Sequence, residues 1–244
     1  MKVLGIIPSR YTSTRFPGKA MVDIGGKTMI RRVYEQAIQC NALDKLIVAT
    51  DDQRIFDEVY SFGGDVIMTS SDHLNGTERC NEVAQAYSDY DFIVNIQGDE
   101  PFVHPAQIDQ LVATLTEDVT LATLVKKVSN RQTLHDPSKI KVVFNRMHEA
   151  MYFSRSIIPF ERESTSNYES YVDYYQHIGL YAYRRDILNE LSNLSPTPAE
   201  QAESLEQLRW LEHGYRIKIG FTTLESIMVD TPEDLVNLKE EFLK

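Results

Sequence analysis

Three cationic side chains lie within one short segment near the start of the sequence. Arg10, Arg15 and Lys19 follow the apolar run Leu4–Ile7 and alternate with serine and threonine residues. Guanidinium groups bind phosphate oxygens in forked pairs, lysine acts as a point charge, and free backbone N–H groups add to such an anion site. The spacing is neither G-x-x-x-x-G-K-[ST] nor G-x-G-x-x-G. The segment therefore predicts binding of a triphosphate without a P-loop.

Two acidic side chains that are far apart in the sequence are candidates for holding a divalent cation. Asp99 follows the apolar run Phe92–Ile96, and Asp230 begins the segment Asp-Thr-Pro-Glu-Asp. Mg²⁺ is commonly bound by one or two carboxylates together with phosphate oxygens and water. Because Asp99 is expected to face the cationic segment, we interpret it as a metal ligand rather than a residue that only caps a turn. For Asp230 a helix N-cap is an equally good interpretation of the sequence alone.

Other polar residues could bind a ligand, but their spacing does not form a motif that distinguishes them from ordinary structural residues. The segment Asp72–Arg79 offers hydrogen-bonding groups to a base or a sugar, yet an ordinary loop before a helix is as compatible with it. In the second half, Arg155 would suit a substrate carboxylate. A single histidine is more often structural, and Glu206 with Arg209 is an ordinary helix pair. The candidates there are Arg155, His177, Tyr181, Glu203, Glu206 and Gln207.

No nucleophile with an activating partner is visible in the sequence. Ser9 and Ser13 have no neighbouring histidine, and Cys40 and Cys80 are predicted to be structural residues of helices. With two cysteines and no Cys-x-x-Cys or Cys/His pattern, we expect neither a disulfide framework nor a zinc site.

The first half of the sequence alternates between apolar runs and segments with apolar residues at helical spacing, which predicts a parallel sheet covered on both faces. The predicted strands are Leu4–Ile7, Leu46–Ala49, Val66–Met68 and Phe92–Ile96. Ligands of such sheets bind beyond the carboxyl ends of the strands. We therefore expect one edge of the sheet to carry the loops at 8–19, 50–52, 70–79 and 97–101.

After residue 120 the pattern changes to strands separated by irregular loops. The predicted strands are Leu121–Val125, Ile140–Phe144, Met151–Ser154, His177–Tyr183 and Ile217–Phe221. Residues 161–175 predict a loop or flap. After Pro198 we expect one helix with Ala202, Leu205, Leu208 and Leu211 on one face, and Asp230 opens a last helix. No linker separates two domains, so a single domain over residues 1–244 is predicted.

Charge and composition exclude several classes of protein. The chain has 244 residues, and 36 acidic against 25 basic side chains give it a net charge of −11. An acidic chain without a basic and aromatic stripe is a poor nucleic-acid binder. The first apolar run breaks at Pro8 and is too short for a signal peptide or a membrane span. We therefore expect a cytoplasmic protein whose locally basic segment 1–32 binds a small anion.

The motifs, in their order and spacing, resemble those of one enzyme family. The chain contains RYTSTRFPGK, QGDEP and VDTPEDL, with further matching stretches such as MTSSDHLNGTER, MYFSRSIIPF, QHIGLYAYRR and ESLEQLRWLEHGY between residues 6 and 235. These resemble the CMP-Kdo synthetases, that is, the 3-deoxy-manno-octulosonate (Kdo) cytidylyltransferases within the sugar-nucleotide transferase group. The resemblance covers nearly the whole chain.

The resemblance implies a Rossmann-like nucleotidyltransferase fold of the glycosyltransferase-A-like kind, an α/β mixed sheet with helices on both faces. It implies a Mg²⁺-dependent reaction of CTP with Kdo that gives CMP-Kdo and pyrophosphate for lipopolysaccharide biosynthesis. It also implies a homodimer, whose interface we expect within residues 150–185. On this basis the nucleotide-binding part is about 1–125, and the part for sugar binding and dimerisation is about 126–225.

The family's functional positions carry over to this sequence one by one. Arg15, Lys19 and Asp99 match the catalytic residues, and Asp99 and Asp230 match the metal carboxylates, which favours the metal role of Asp230. The positions that match nucleotide binding are Pro8, Ser9, Arg10, Ser13, Arg15, Lys19, Asn75, Gly76, Thr77 and Arg79. Those that match the sugar pocket are Gln97, Arg155, His177, Tyr181, Glu206 and Gln207.

Three residues depart from the family's usual pattern, and two alternative functions remain. Ser9 and Asn75 stand where alanine and serine are common, and Met228 replaces a glycine and adds bulk beside Asp230. A cytidylyltransferase for another acidic sugar, such as a sialic acid, would also use Arg155 opposite a carboxylate. A nucleotide-binding module without activity is disfavoured because Lys19 and Asp99 are both present.

Overall fold

The computed structural model describes residues 1–12, 16–162, 172–225, 227–236 and 238. In this part of the chain, nine strands form one sheet. The strands are β1 (Val3–Ser9), β2 (Lys45–Thr50), β3 (Val66–Met68), β4 (Phe92–Asn95), β5 (Leu121–Lys127), β6 (Lys141–Phe144), β7 (Ala150–Ser154), β8 (Tyr175–Arg184) and β9 (Lys218–Thr222). The helices are α1 (Met29–Ala37), α2 (Gln53–Ser61), α3 (Gly76–Ala86), α4 (Pro105–Val112), α5 (Arg131–His135), α6 (Arg185–Leu191), α7 (Pro198–Glu203), α8 (Glu206–Glu212) and α9 (Pro232–Val236).

The sheet is parallel in its first half and mixed as a whole. Its strand order is β3-β2-β1-β4-β8-β5-β9, and β6 pairs with both β7 and β8. The pairs β1–β2, β1–β4 and β2–β3 are parallel, as the alternating pattern predicted. Strand β8 enters antiparallel between β4 and β5, and β9 pairs in parallel with β5. The carboxyl ends of β1, β2, β3 and β4 therefore share one edge.

Alternate residues of the central strands face two separate cores. In β1, Val3 and Ile7 belong to the core that also contains residues of α1, α2 and α4, whereas Leu4 and Ile6 belong to the core with residues of α3, α6 and α8. Because both faces of β1 are covered, its sequence is a continuous apolar run rather than an alternating one. The predicted arrangement of helices on both faces is confirmed. Polar loops leave the sheet where this burial ends.

Side-chain caps fix the starts of the helices in the first half. Thr28 accepts a hydrogen bond from the backbone N–H of Arg31 before α1, and Asn75 does the same for Glu78 before α3. These bonds satisfy N–H groups that have no partner within the helix. None of the helices in the described ranges is long and apolar enough to cross a membrane.

Three local predictions differ from the structure. The single helix expected after Pro198 is two helices, because Ser204 adopts the left-handed conformation (φ 52°, ψ 52°) between α7 and α8. Cys40 lies beyond the end of α1 rather than on it. Of the predicted loop 161–175, Tyr175 already belongs to β8, and residues 163–171 lie outside the described ranges. Helices α4, α5 and α6 were not predicted.

Candidate active site

A cavity of about 720 Å³ opens at the shared carboxyl edge of the parallel strands. The loop after β1, the start of α3, the loop after β4 and the segment before α9 all contribute to its wall. The lining residues are Pro8, Ser9, Arg10, Thr12, Pro17, Lys19, Ala20, Asn75, Gly76, Arg79, Gln97, Gly98, Asp99 and Asp230. The structure thus brings together three of the four loops that the sequence predicted at this edge.

The ammonium of Lys19 lies between the two candidate metal ligands. Its Nζ is 2.8 Å from Asp99 Oδ2 and 3.0 Å from Asp230 Oδ1. Burial alone would lower the pKa of Lys19, but the neighbouring Asp99 and Asp230 carboxylates more than offset this and raise the pKa above its ordinary value. Lys19 is therefore a cation at neutral pH. The two acids, which are far apart in the sequence, face one another across a single charge.

Backbone contacts hold both acids in place. The N–H of Val229 donates to the carbonyl of Asp99 at 2.9 Å, which joins the segment before α9 to the loop after β4. The N–H groups of Asp230 and Thr231 donate to Asp234 Oδ2 at 3.0 and 2.8 Å. The side chain of Met228 is exposed, so its bulk points away from the protein interior.

Two glycines allow the loops around the cavity to approach closely. A Cβ atom at Gly98 would lie 2.9 Å from the carbonyl oxygen of Pro8, closer than such atoms pack. Gly18 precedes the 3-10 turn Lys19–Met21 with a φ of 72°, a left-handed conformation that favours glycine. A Cβ there would also meet the ring of Tyr11. Gly18 thus shapes the turn that carries Lys19, and Gly98 lets the loop after β4 pack against the end of β1.

The residues predicted to bind the nucleotide fall into three groups. Pro8, Ser9, Arg10, Lys19, Asn75, Gly76 and Arg79 line the cavity. Thr77 is buried behind the wall, where its hydroxyl donates to Glu206 Oε2 at 2.9 Å. Ser13 and Arg15 lie outside the described residues.

The predicted sugar-binding residues of β8 are packed next to the cavity wall. The Gln97 side chain lines the cavity and its Nε2 donates to the carbonyl of Gly179 at 3.1 Å. The His177 ring contacts the Tyr181 ring at 5.2 Å between centroids, and His177 Nε2 is 3.0 Å from Thr123 Oγ1. Burial lowers the pKa of His177 to about 3, so the ring is neutral at neutral pH. The Tyr181 hydroxyl has no hydrogen-bond partner among the described residues.

Glu206 at the start of α8 connects this second group of residues to α3. Burial raises the pKa of its carboxyl to about 7, and the hydrogen bond from Thr77 opposes that rise. Gln207, the next residue, is buried. The carboxyl therefore lies between the start of α3, which forms part of the cavity wall, and the rings of β8.

Arg155 is held by backbone carbonyls in this structure. Its Nε donates to Glu203 at 2.7 Å, its Nη1 to Pro137 at 3.1 Å and its Nη2 to Ser204 at 3.3 Å. These contacts connect β7 to α7, and Arg155 is not among the residues that line the cavity. Its predicted contact with a substrate carboxylate stays a prediction.

Several residues of the site were not predicted from the sequence. Thr12, Pro17, Ala20 and Gly98 line the cavity, and Asp51 and Thr69 bind the Arg79 guanidinium from behind the wall. Asp51 follows β2 at the predicted edge of the sheet, and this position was the one feature of the sequence that could have placed it near the site. Nothing in the spacing indicated that its partner would be Arg79.

The cavity residues fit a bound Mg²⁺ ion. Asp99 and Asp230 each turn a carboxylate oxygen toward one shared point, now taken by the Lys19 ammonium. In the described part of the chain, no group of three or more His, Cys, Asp and Glu side chains is arranged to hold a metal. Two carboxylates completed by phosphate oxygens and water are the usual environment of Mg²⁺, and an open cavity leaves room for both.

The fold and this cavity together define a class of protein. The mixed α/β sheet is that of the nucleotidyltransferase fold, and its strand ends carry Lys19 opposite two acids. Residues 4–219 match a family model described as cytidylyltransferase.

Individual relatives are more specific. Two 3-deoxy-manno-octulosonate cytidylyltransferases are similar over nearly their whole length. The protein of Parabacteroides distasonis is 52% identical over 96% of this chain and 96% of its own, and that of Cytophaga hutchinsonii is 48% identical over 98% and 96%. The solved structure of CMP:2-keto-3-deoxy-manno-octonic acid synthetase complexed with CTP is 41% identical, with a TM-score of 0.88 over 97% of this chain and 96% of its own. The chain belongs to the 3-deoxy-manno-octulosonate cytidylyltransferase family.

Proposed function

We propose that this protein transfers the cytidylyl group of CTP to Kdo and releases CMP-Kdo and pyrophosphate. Family membership supports the activity and both substrates. The structural observation that carries the proposal is the position of Lys19 between Asp99 and Asp230, at the wall of a cavity of nucleotide size.

The reaction requires two anions to meet. The anomeric hydroxyl of Kdo attacks the α-phosphorus of CTP and a new P–O bond forms. The hydroxyl proton passes to water, and the bond to the bridging oxygen of the leaving pyrophosphate breaks. Arg10 and Lys19 at the cavity wall, with Arg15 in the same segment, offset the charge of the triphosphate and of the leaving group. Asp99 and Asp230 would hold Mg²⁺, which when bound shields the phosphates and orients them.

The residues of β8 and α8 supply the acceptor side. Gln97 lines the cavity and contacts β8, on which the rings of His177 and Tyr181 pack together. Glu206 and the buried Gln207 lie next to this group. A neutral His177, and a Glu206 whose pKa burial raises to about 7, reduce the negative charge where a sugar acid must bind. Holding the hydroxyl in line with the α-phosphorus is worth several orders of magnitude in rate.

Pyrophosphate release tests this function directly. The enzyme is assayed with CTP or UTP against Kdo or a sialic acid, with and without Mg²⁺. We expect release with CTP, Kdo and Mg²⁺ together. If more pyrophosphate were released with the sialic acid than with Kdo, the acceptor would be the sialic acid rather than Kdo. If release were unchanged without any divalent cation, the proposed metal requirement would be wrong.

The Asp99→Ala variant tests the metal site. We expect turnover to fall by at least about 10²-fold, because one of the two carboxylate ligands is lost, while thermal unfolding stays cooperative. Near-normal turnover at saturating CTP and Mg²⁺ would exclude Asp99 from the metal site.

Cytoplasmic location, lipopolysaccharide biosynthesis and a homodimeric state stay predictions from the resemblance.

A further inference from the structure

One of the four loops predicted at the sheet edge, 50–52, contributes no residue to the part of the cavity lining that the structure describes. This loop leads into α2, whose first turn contacts the segment after β1 instead. The guanidinium of Arg54 lies over the ring of Tyr11, with its Cζ 3.2 Å from the ring centroid. The start of α2 is therefore connected to the cationic segment by residues that do not line the cavity.

Asp52 holds the Arg54 guanidinium in one orientation. Asp52 Oδ1 accepts a hydrogen bond from Arg54 Nε at 2.9 Å, and Asp52 Oδ2 accepts one from Arg54 Nη2 at 2.6 Å. Such a forked pair fixes the plane of a guanidinium as well as its position. The same carboxylate caps α2, because Oδ1 also accepts from the backbone N–H of Arg54. The hydrogen bonds from Arg54 lower the pKa of the Asp52 carboxyl, so the pair is ionised at neutral pH.

Tyr11 connects the two ends of the cationic segment. Its carbonyl accepts a hydrogen bond from the N–H of Gly18 at 2.9 Å. Its ring packs against the same glycine, since a Cβ there would lie 3.1 Å from the ring atoms Cζ and Oη. Arg10 and Lys19 are the residues just outside this closed stretch, and both line the cavity. The position of Tyr11 therefore affects where both cations lie.

We propose that Arg54, oriented by Asp52, is a positioning residue that holds Tyr11 so that the segment after β1 presents its cations to the β- and γ-phosphates of the nucleotide. The inference rests on the proposed use of CTP and adds a role for the start of α2 in binding it.

Pre-organisation explains why such a contact affects affinity. A ligand binds less tightly when only part of the protein population holds the segment in the binding conformation, because the apparent Kd rises as that fraction falls. The cations of the segment repel one another when no phosphate is bound, which opposes that conformation. The contact between Arg54 and Tyr11 offsets this repulsion from outside the cavity, and Asp52 balances the charge that Arg54 adds.

Binding of inorganic pyrophosphate, CTP and CMP tests the inference without any transfer reaction. The dissociation constants are measured by calorimetry with Mg²⁺ and no sugar acid. The variants are Arg54→Ala, Asp52→Asn, Tyr11→Leu, Tyr11→Phe and the double variant Tyr11→Leu/Arg54→Ala. CMP lacks the two phosphates that the segment is proposed to hold, so it is the internal comparison. Thermal unfolding of every variant is recorded beside the binding data.

The matched control is a second arginine that lies over an aromatic ring. Arg31 of α1 has its Cζ 5.4 Å from the centroid of the Phe62 ring, and its Nε pairs with Glu35 at 2.8 Å. Neither Arg31 nor Phe62 lines the cavity in the part of the chain that the structure describes. Arg31→Ala therefore removes the same kind of contact without touching the cationic segment, and we expect it to leave all three dissociation constants unchanged.

We expect Arg54→Ala and Tyr11→Leu to weaken the binding of pyrophosphate and CTP by about 2-fold to 5-fold, the equivalent of an exposed cation–π contact, and that of CMP by less than about 1.5-fold. The double variant should bind no more weakly than the weaker single variant, because both changes remove one contact. Tyr11→Phe keeps the ring and should bind like the wild type.

Asp52→Asn separates positioning from charge. Asparagine caps a helix as well as aspartate does, so α2 keeps its first turn. Removal of a negative charge would by itself strengthen the binding of an anion. We expect weaker pyrophosphate binding instead, because the forked pair that orients Arg54 is lost.

Equal weakening of all three ligands would overturn the inference, because a general loss of structure does not distinguish them. So would additive effects in the double variant, a similar effect of Arg31→Ala, or stronger pyrophosphate binding by Asp52→Asn. Arg54 is exposed, so Arg54→Ala still decides the question if Tyr11→Leu does not fold. Protein that binds these ligands as expected but makes no CMP-Kdo would contradict the proposed function and leave this inference standing.

Discussion

The Lys19 ammonium occupies the point at which two carboxylates converge, and a divalent cation would need the same oxygens. Lys19, Asp99 and Asp230 together carry one net negative charge, against two for the acids alone. The pair of contacts at 2.8 and 3.0 Å also orders the lysine. A metal ion that bound the nucleotide-free protein at these oxygens would therefore have to displace the Lys19 ammonium, which the phosphates of a nucleotide would attract.

We predict that Lys19→Met raises the affinity of the nucleotide-free protein for Mn²⁺, a probe for Mg²⁺, by about 10-fold or more, because the competing cation is gone. The same change should lower turnover with CTP and Kdo. Binding is measured by electron paramagnetic resonance of free Mn²⁺.

Two variants complete this experiment. Lys19→Arg keeps the charge and should bind Mn²⁺ as weakly as the wild type. Lys27→Met removes a lysine that pairs with Glu35 on the surface, away from the cavity, and should have no effect. Mn²⁺ binding that is weaker in Lys19→Met than in the wild type would contradict competition between lysine and metal.

At the scale of elements, the break between α7 and α8 depends on one residue. Ser204 has a φ of 52°, and its carbonyl accepts a hydrogen bond from Arg155. The left-handed conformation costs a non-glycine residue about 1 kcal/mol, and glycine adopts it freely. We predict that Ser204→Gly stabilises the protein by up to about 1 kcal/mol in urea unfolding. Ser204→Ala removes the hydroxyl but keeps the cost of the left-handed conformation. An equal increase in the free energy of unfolding in both variants would show that this conformation is not the cause.

This break also shows what apolar spacing can and cannot predict. Leu205 and Leu208 are buried in one core, as a single amphipathic helix would place them, so the spacing gave no sign of an interruption. Strands β1, β2 and β4 were predicted because burial on both faces produces continuous apolar runs. Lys19 and Asp99 were predicted because strand ends determine which loops meet. The Asp51–Arg79 pair depends on a side-chain direction, which sequence spacing does not specify.

The raised pKa of Glu206 predicts that the contact between α8 and α3 depends on pH. The pKa of its carboxyl is raised from 4.5 to about 7 in the folded protein. As the pH rises, the unfolded chain therefore releases this proton at a lower pH than the folded protein does. The stability contributed by this group is complete below about pH 4.5 and is lost as the pH rises through 7. We predict that Glu206→Gln removes this loss. As the pH rises from 5 to 8.5, the free energy of unfolding of the variant should increase relative to that of the wild type by at most roughly 3 kcal/mol.

Urea unfolding at several pH values measures that difference. Glu212→Gln removes an exposed glutamate from the same helix and is the control for losing a carboxylate as such. If the difference between Glu206→Gln and the wild type does not change with pH, the Glu206 carboxyl is not held protonated by the fold.

At the scale of the whole molecule, the expected dimer interface contains exposed apolar side chains. Met151 is 62% exposed and Phe160 86%. Such groups commonly mark a contact with another chain. We predict that the wild type is a dimer in light scattering. Phe160→Asp should shift it toward the monomer, because dimer formation would bury the charge of the aspartate against the partner chain. Tyr60→Asp changes a similarly exposed aromatic on α2 and should leave the mass unchanged. A monomeric wild type, or equal effects of both variants, would rule out this interface.

The pairing of Lys19 with Asp230 spans 211 residues of sequence. A ribosome therefore adds strands β1 to β4, Lys19 and Asp99 long before it adds the second acid. The nucleotide-binding half lacks part of its sheet during that interval, because β4 pairs with β8 and a domain folds as a unit. It cannot consume CTP until β9 has joined β5 and the segment after it has reached Asp99. Truncated translation products would consequently be inert rather than partly active, which protects the cell's nucleotide pool from unfinished copies of the enzyme.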